Sequence, residues 1–433
     1  MKIFLSAGEP SGDLHGANLI NALRARRPEA QFVGYGGPRM AAAGCELHAD
    51  LTRLAVMWFL RVLLNLHKFL DLASRADRYF AHQRPDAVVL IDYPGFNWWI
   101  ARRAKAHGIP VFYFAPPQVW AWGTWRVKKM RRFVDHVLCG LKFEADWYAA
   151  RGCRAVFVGH PYFDEVREHP LDHAFVERMR SGGRPLVTIL PGSRSQEVLQ
   201  NLKWFLKAAA IVRQRVPNVR FALAAFKPEQ AQFARRAIAA AGLEIEVFVR
   251  RTPELIAAAH CCMAVSGSVS LELLYHRRPT VILYAISPLA FYVQGLFRRV
   301  RYITLVNLLS TSGVFIDRRT EYDPDAPGAA KVPFPEYLTP TDRSADIANR
   351  IVAWLGDPAQ HAESVAWLDT LRTAVAHGGA TSKAAEYIVA TLDRDRRPLI
   401  PRPHYRPGMV VASSALSPAL AVATKAGSSA SKR

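Results

Sequence analysis

The chain has 433 residues, half of them hydrophobic and 21% charged, with a formal net charge of +21 at pH 7. That length holds two domains with real cores, and five cysteines without a C-x-x-C spacing argue against a disulfide framework or a zinc site. The excess positive charge predicts an anionic partner (nucleic acid, anionic lipid or a phosphorylated small molecule) without choosing among them.

Lys2 to Leu5 reads as a strand, and a helix runs to about Arg27. Between them Ser6 to Gly16 carries Gly8 and Gly12 for tight turns, and Glu9, Asp13 and His15 as proton-handling groups at the strand's carboxyl end, where open α/β sheets bind ligands. The stretch has neither the G-x-G-x-x-G nor the G-K-[ST] spacing of common nucleotide loops. Spacing alone serves equally for Ser11 or Asp13 as a helix cap. Further strands are expected at Gln31 to Tyr35, Asp86 to Ile91, Val111 to Phe114, His136 to Cys139 and Ala155 to Val158. Their alternation with helices predicts an α/β, doubly wound parallel sheet, which brings Glu9, Asp13 and Asp92 toward one cleft. The exception is Leu54 to Ser74, too short and too charged to span a bilayer. It is either a helix packed on the sheet or an interfacial helix with Leu60, Leu63, Leu64 and Leu66 toward lipid. Trp98, Trp99, Trp120, Trp122 and Trp125 cluster ahead of a basic run; core contact is expected for Trp98 and Trp99.

The first domain is expected over residues 1–160, a polar link over 161–184, and a second Rossmann-like domain with closing helices over 185–395. Strands there are Leu186 to Leu190, Arg220 to Leu223, Ile245 to Val249, Met263 to Val265 and Thr280 to Tyr284. Ser193 and Arg194 follow the first of these and open a helix, a placement suited to a diphosphate. Ser266, Gly267 and Ser268 open another, with Glu272 one turn beyond Ser268 to accept hydrogen bonds from ribose hydroxyls. The uncharged window Pro279 to Phe297 reads as a buried strand and an apolar helix rather than a span. Asp317 to Val332 reads as a polar surface loop, three helices follow, and residues 396–433 form a disordered basic tail. No signal peptide opens the sequence, so a cytoplasmic location is expected.

The segment SAGEPSGDLHGA resembles the amino-terminal signature of the lipid-A-disaccharide synthase family. Ala55-Val56-Met57, Ile91 to Asn97, Val119 to Trp122, Val158 to Pro161, Leu190 to Arg194 and Val306 to Leu309 resemble its further motifs in order, though Trp58 stands where that pattern has glycine. The resemblance covers roughly residues 2 to 390, and an ordered set is far more specific than any single motif. It implies the GT-B fold, two Rossmann-like domains facing across a cleft. It also implies an inverting transfer of 2,3-diacylglucosamine from UDP to 2,3-diacylglucosamine 1-phosphate (lipid X), giving lipid A disaccharide 1-phosphate and UDP. The UDP-sugar is then a substrate, and no cofactor or metal is expected. Asp92 becomes the first choice of base, with Glu9, Asp13 and His15 as alternatives. Arg194 and the amides near Gly267 would steady the diphosphate, and Asn307 joins the substrate-binding set. The partners implied are the acylated sugar nucleotide, the acylated sugar phosphate and an anionic membrane surface on the inner face of the inner membrane. No nucleic acid is expected, and a homodimer stays open. The competing readings are a lipid-linked N-acetylglucosaminyltransferase or a UDP-sugar epimerase of the same fold.

Overall fold

The computed structural model describes residues 1–55, 66–316 and 322–396. Leu60, Leu63 and Leu64, and the tail beyond Arg396, lie outside the described residues. The contacts group residues 1–392 into one compact unit.

Two parallel sheets organise this unit. The first runs β3-β2-β1-β4-β5-β6-β7, with β1 Lys2–Ala7, β2 Gln31–Gly36, β3 Glu46–Asp50, β4 Ala87–Ile91, β5 Val111–Phe114, β6 His136–Cys139 and β7 Ala155–Phe157. The second runs β10-β9-β8-β11-β12-β13, with β8 Leu186–Leu190, β9 Arg220–Ala225, β10 Glu246–Val249, β11 Cys261–Ala264, β12 Thr280–Ala285 and β13 Glu336–Thr339. Central strands such as β4 (AVVLI) and β8 (LVTIL) are buried at every residue, because helices cover both faces of the sheet. The strand order reverses between β1 and β4 and again between β8 and β11, and a crevice at the carboxyl ends opens at each reversal.

Two edge strands escape the sequence reading. In β3 (ELHAD) the polar residues Glu46, His48 and Asp50 dilute the apolar signal, and β13 is only four residues long. The stretch expected as a polar link instead holds two helices, Pro161–Glu168 and His173–Arg180. Phe163, Phe175, Val176 and Met179 pack from them into one core of the second sheet. Their apolar residues are few and spaced at helical period, so composition hides them.

The second half of the chain also builds the first domain. Val300, Tyr302, Leu308, Val314 and Val332 join the core on one face of the first sheet. Ala384, Ala385, Ile388, Val389 and Leu392, from the final helix Ala380–Arg396, join the core on the other. Asp164 fixes the start of that helix, its carboxylate accepting the N–H groups of Gly379, Ala380 and Thr381 at 2.6, 3.3 and 2.9 Å. The helix expected to close the second domain thus closes the first.

Candidate active site

Each switch point carries one half of the expected chemistry. Ala7 pairs with Ile91 at the ends of β1 and β4, which sets Gly8 beside Asp92. Ala264 pairs with Leu190 at the ends of β11 and β8, which sets the Pro191–Arg194 loop beside Val265 and Ser266.

On the first side, Asp92 and Tyr93 both adopt left-handed backbone, at φ 46° and 44°. Two successive non-glycine residues in that region are strained and persist only when neighbours hold them. The Asp92 carbonyl is the anchor, accepting Asn97 Nδ2 and the Tyr113 hydroxyl, each at 2.7 Å. The same Asn97 nitrogen lies 3.2 Å from the Ile91 carbonyl, and Ser6 Oγ donates to Asn97 Oδ1 at 2.7 Å. A Cβ on Gly8 would meet the Tyr93 ring at 2.3 Å, so only glycine lets that ring lie over the end of β1. Burial pushes the Asp92 carboxyl up to about 6; the Glu9 charge pushes the same way, and the Tyr93 N–H and Arg194 oppose them. A carboxyl so poised suits a base near neutrality.

Asp13 and His15 belong to the same stretch but do not join Asp92 as reactive groups. Asp13 is buried, and its carboxylate accepts N–H groups of Gly37, Arg39 and Met40 at 2.8 to 3.0 Å, capping the short helix Pro38–Ala42. It is a cap, but of that helix rather than its own; a side chain so engaged holds the loop after β2. His15 is buried beneath the final helix's anchorage, near His160 and Asp164. Burial drives its ring down to about 4, so it is neutral near pH 7, and its Nδ1 has no partner among the described residues.

On the second side, Gly192 (φ 121°) lets the loop turn close to Glu197, whose carboxylate accepts the Arg194 N–H at 3.3 Å and its guanidinium at 2.9 Å. Arg194 is exposed and lies in electrostatic range of both Asp92 and Glu9. Ser193 is exposed, and its carbonyl accepts Gln230 Nε2 at 2.9 Å. Gly267 and Ser268 lie exposed before the helix Val269–Tyr275, and Ser268 makes no side-chain cap. Glu272 is buried rather than solvated; burial raises its carboxyl to about 7 while the Tyr162 hydroxyl, donating to Oε2 at 3.0 Å, pulls it back. Tyr162 comes from the stretch expected to be link.

Asn307 departs from its expected role as a substrate contact. Its side chain is fully buried; Nδ2 donates to the Phe334 carbonyl at 2.7 Å and to Glu336 Oε2 at 2.9 Å, while Oδ1 accepts the Phe334 N–H at 3.0 Å. Glu336 also accepts the N–H groups of Ile303 and Thr304, and the Ile303 carbonyl accepts Ser266 Oγ at 2.8 Å. Asn307 and Glu336 therefore fix the loop against which Ser266 rests. The motif Val306 to Leu309 pointed at this region, but nothing in sequence singled out Gln230 or Glu336.

Residues 3–321 match the model of the family described as lipid-A-disaccharide synthetase. The chain belongs to the lipid-A-disaccharide synthase family. Lipid-A-disaccharide synthase of Alkalilimnicola ehrlichii is 35% identical over 87% of this chain and 100% of its own length. That of Geobacter sulfurreducens is 33% identical over 91% and 98%. Among solved structures, the UDP-GlcNAc 2-epimerase of Neisseria meningitidis bound to UDP-GlcNAc superposes with TM-score 0.59 at 10% identity, covering 91% of this chain and 100% of its own. The calicheamicin glycosyltransferase CalG4 gives 0.54 at 13% identity, over 92% and 99%. At such identities the likeness establishes the GT-B fold alone, whereas the lipid-A-disaccharide synthase relationship makes the protein a glycosyltransferase of lipid A biosynthesis. Among the described residues no helix is long and apolar enough to cross a membrane.

Proposed function

We propose that the protein joins UDP-2,3-diacylglucosamine to 2,3-diacylglucosamine 1-phosphate with inversion, releasing UDP and lipid A disaccharide 1-phosphate. Asp92 takes the proton of the acceptor's 6-hydroxyl as that oxygen bonds to the donor C1, while the C1–O bond to the diphosphate breaks on the opposite face. Arg194 and the backbone amides at Gly267 and Ser268 stabilise the negative charge that grows on the leaving UDP. Glu272 accepts from the ribose hydroxyls, with Tyr162 setting its carboxylate. Glu9 orients the acceptor and holds the Asp92 carboxyl in its raised range.

The observation that carries this reading is the facing of Asp92 and Glu9, on the first sheet's switch point, by Arg194 on the second's, near enough for their charges to interact. A carboxyl and a guanidinium on opposite walls of one cleft support a displacement at a single carbon, with one as base and the other holding the leaving anion. Acylated substrates make the enzyme a peripheral protein on the inner face of the inner membrane. Leu66 and Leu70, exposed on the helix Leu66–Gln83, support that contact. Incubation of the purified protein with both acylated sugars should yield the disaccharide 1-phosphate and UDP by mass analysis. Conversion of the UDP-sugar to an epimer without acceptor, or transfer only to a different acceptor, would refute it.

A further inference from the structure

The second sheet carries another polar concavity, at the opposite end of its strands from the cleft. It lies where β8, β11 and β12 begin: Arg184 stands just before β8, His260 just before β11 and Arg278 just before β12. Arg180, the last residue of the helix His173–Arg180, and His361, from the helix Pro358–Val375, complete its polar wall. The cavity holds about 210 Å³, and no Asp or Glu lines it among the described residues. Arg194, Gly267 and Ser268 follow the other ends of β8 and β11, so the length of a strand separates the two places.

Three guanidiniums gather there with almost no carboxylate to share. Arg180 Nη2 and Arg278 Nη2 both donate to the Ala257 carbonyl, at 2.7 and 2.6 Å, which sets two like charges side by side. Glu177 meets only Arg180, at 3.1 Å on the exposed surface. Arg277, next to the cavity, has its own acid in Asp369 at 3.4 Å, whereas Arg278 Nε is buried without a hydrogen-bond partner among the described residues. Burial holds Arg278 below the ordinary guanidinium range, and the cations Arg180 and Arg277 push the same way against the Cys262 thiol. His260 and His361 stack with ring centroids 3.9 Å apart, their Nε2 hydrogens donated to the Trp354 and His260 carbonyls, so the pair is fixed in place. Gathered charges of one sign, partly out of water, are costly unless a counter-charge reaches them.

We propose that this cavity is a binding site for a phosphate group, held by Arg180, Arg184 and Arg278 and separate from the cleft. The guanidinium fork matches phosphate oxygens bidentately, and a dianion offers enough oxygens and charge for several arginines at once. A carboxylate, with two oxygens and one charge, would leave part of the cluster unmatched. Volume sets the size of the ligand. The cavity is smaller than the roughly 300 Å³ at which pockets begin to enclose a whole organic ligand, so it takes inorganic phosphate or the phosphate of a small ester whose remainder stays in solvent.

The test titrates the full chain with inorganic phosphate, and in a second arm with glycerol 3-phosphate, by calorimetry in chloride buffer at constant ionic strength, with acetate as control. The parent should bind phosphate and not acetate; equal affinity for the ester would extend the site to phosphomonoesters, and a preference for phosphate would restrict it to the free ion. Arg184→Gln changes an exposed side chain and should weaken binding by about tenfold or more. Arg278→Met leaves the Ala257 carbonyl its bond from Arg180 and should abolish binding. Arg194→Gln, in the cleft, should bind phosphate like the parent. Thermal unfolding separates a site from a structural role. Phosphate should raise the parent's midpoint more than that of Arg278→Met, because its general effect as an excluded salt is common to both. An Arg278→Met midpoint lowered equally with and without phosphate would overturn the proposal, and if that variant does not fold, Arg184→Gln decides by the same comparison. Absence of phosphate binding by the parent, or equal binding of acetate, would also overturn it. So would phosphate binding that survives Arg184→Gln but is lost in Arg194→Gln, which would assign the ion to the cleft.

Discussion

Replacing Glu9 by Gln isolates how the cleft poises Asp92, the proposed base. The Asp92 carboxyl is raised from 3.8 to about 6, with burial the first cause and Glu9 the second. A rise of about two units is worth about 3 kcal/mol between the protonated and ionised forms. Glu9 is the second cause after burial, so Glu9→Gln should lower the carboxyl only part of the way back toward its ordinary value. The sign follows from the role. A base works ionised, so kcat/KM should climb with pH through an inflection near 6 in the parent. The Glu9→Gln inflection should lie below that, and in Arg194→Gln, which loses the opposing cation, it should lie above, with KM for the UDP-sugar increased. The assay is initial rate against pH from about 5 to 8, at saturating and limiting acceptor. Asp92→Asn should lower kcat by about a hundredfold to ten-thousandfold across that range while UDP still binds. The reasoning is refuted if the acidic limb stays put in both charge variants, or if Asp92→Asn keeps a parent-like rate.

Glu272→Ala should weaken UDP binding by about 1 to 3 kcal/mol by calorimetry. Since its carboxyl sits near 7 and ribose hydroxyls favour the ionised form, parent affinity should fall as pH drops below that value, and Glu272→Ala should lack this dependence. Asn307→Ala strands the buried Phe334 N–H and carbonyl and should lower stability by about 2 to 4 kcal/mol in denaturant titration. Gly8→Ala places a methyl within 2.3 Å of the Tyr93 ring, so it should cut turnover more than UDP affinity; a parent-like kcat would show that the ring's seat does not govern Asp92.

Where helices cover both faces of a sheet, its strands must be apolar at every position, and such runs stand out in a sequence. Thus β4, β5, β6 and β8 were legible nearly to the residue, and the turns after β1, β4, β8 and β11 drew attention to Glu9, Asp92, Arg194 and Gly267. Edge strands such as β3 and β13 give no such signal. Return crossings are equally silent: nothing in the pattern of Ala384, Ile388 and Leu392 tells which sheet their helix covers. That choice is made by Asp164, far away in sequence, capping the helix start. Trp98 and Trp99 were both expected in the core, yet Trp99 is exposed with Arg103 over its ring at 5.7 Å, while Trp120 is buried and donates to Glu144.

The polar groups of the cleft divide by a physical requirement that sequence cannot express. A switch point needs loops that stop short of the sheet axis and hold still, and a loop with buried backbone N–H groups holds still only when something accepts them. Asp13 does this for the loop after β2 and Glu336 for the loop at Ile303 and Thr304, while Gln230 steadies the loop after β8 from the other side of the bond, its Nε2 donating to the Ser193 carbonyl. Such residues are acids and amides, the same types as catalytic groups. What separates Asp92 from Asp13 is therefore the accounting of partners. Asp13's carboxylate takes three backbone bonds. At Asp92 it is the backbone carbonyl that Asn97 and Tyr113 secure, so the strain is borne by the main chain, and the carboxylate takes a single backbone bond, from the Tyr93 N–H, within reach of the Arg194 and Glu9 charges.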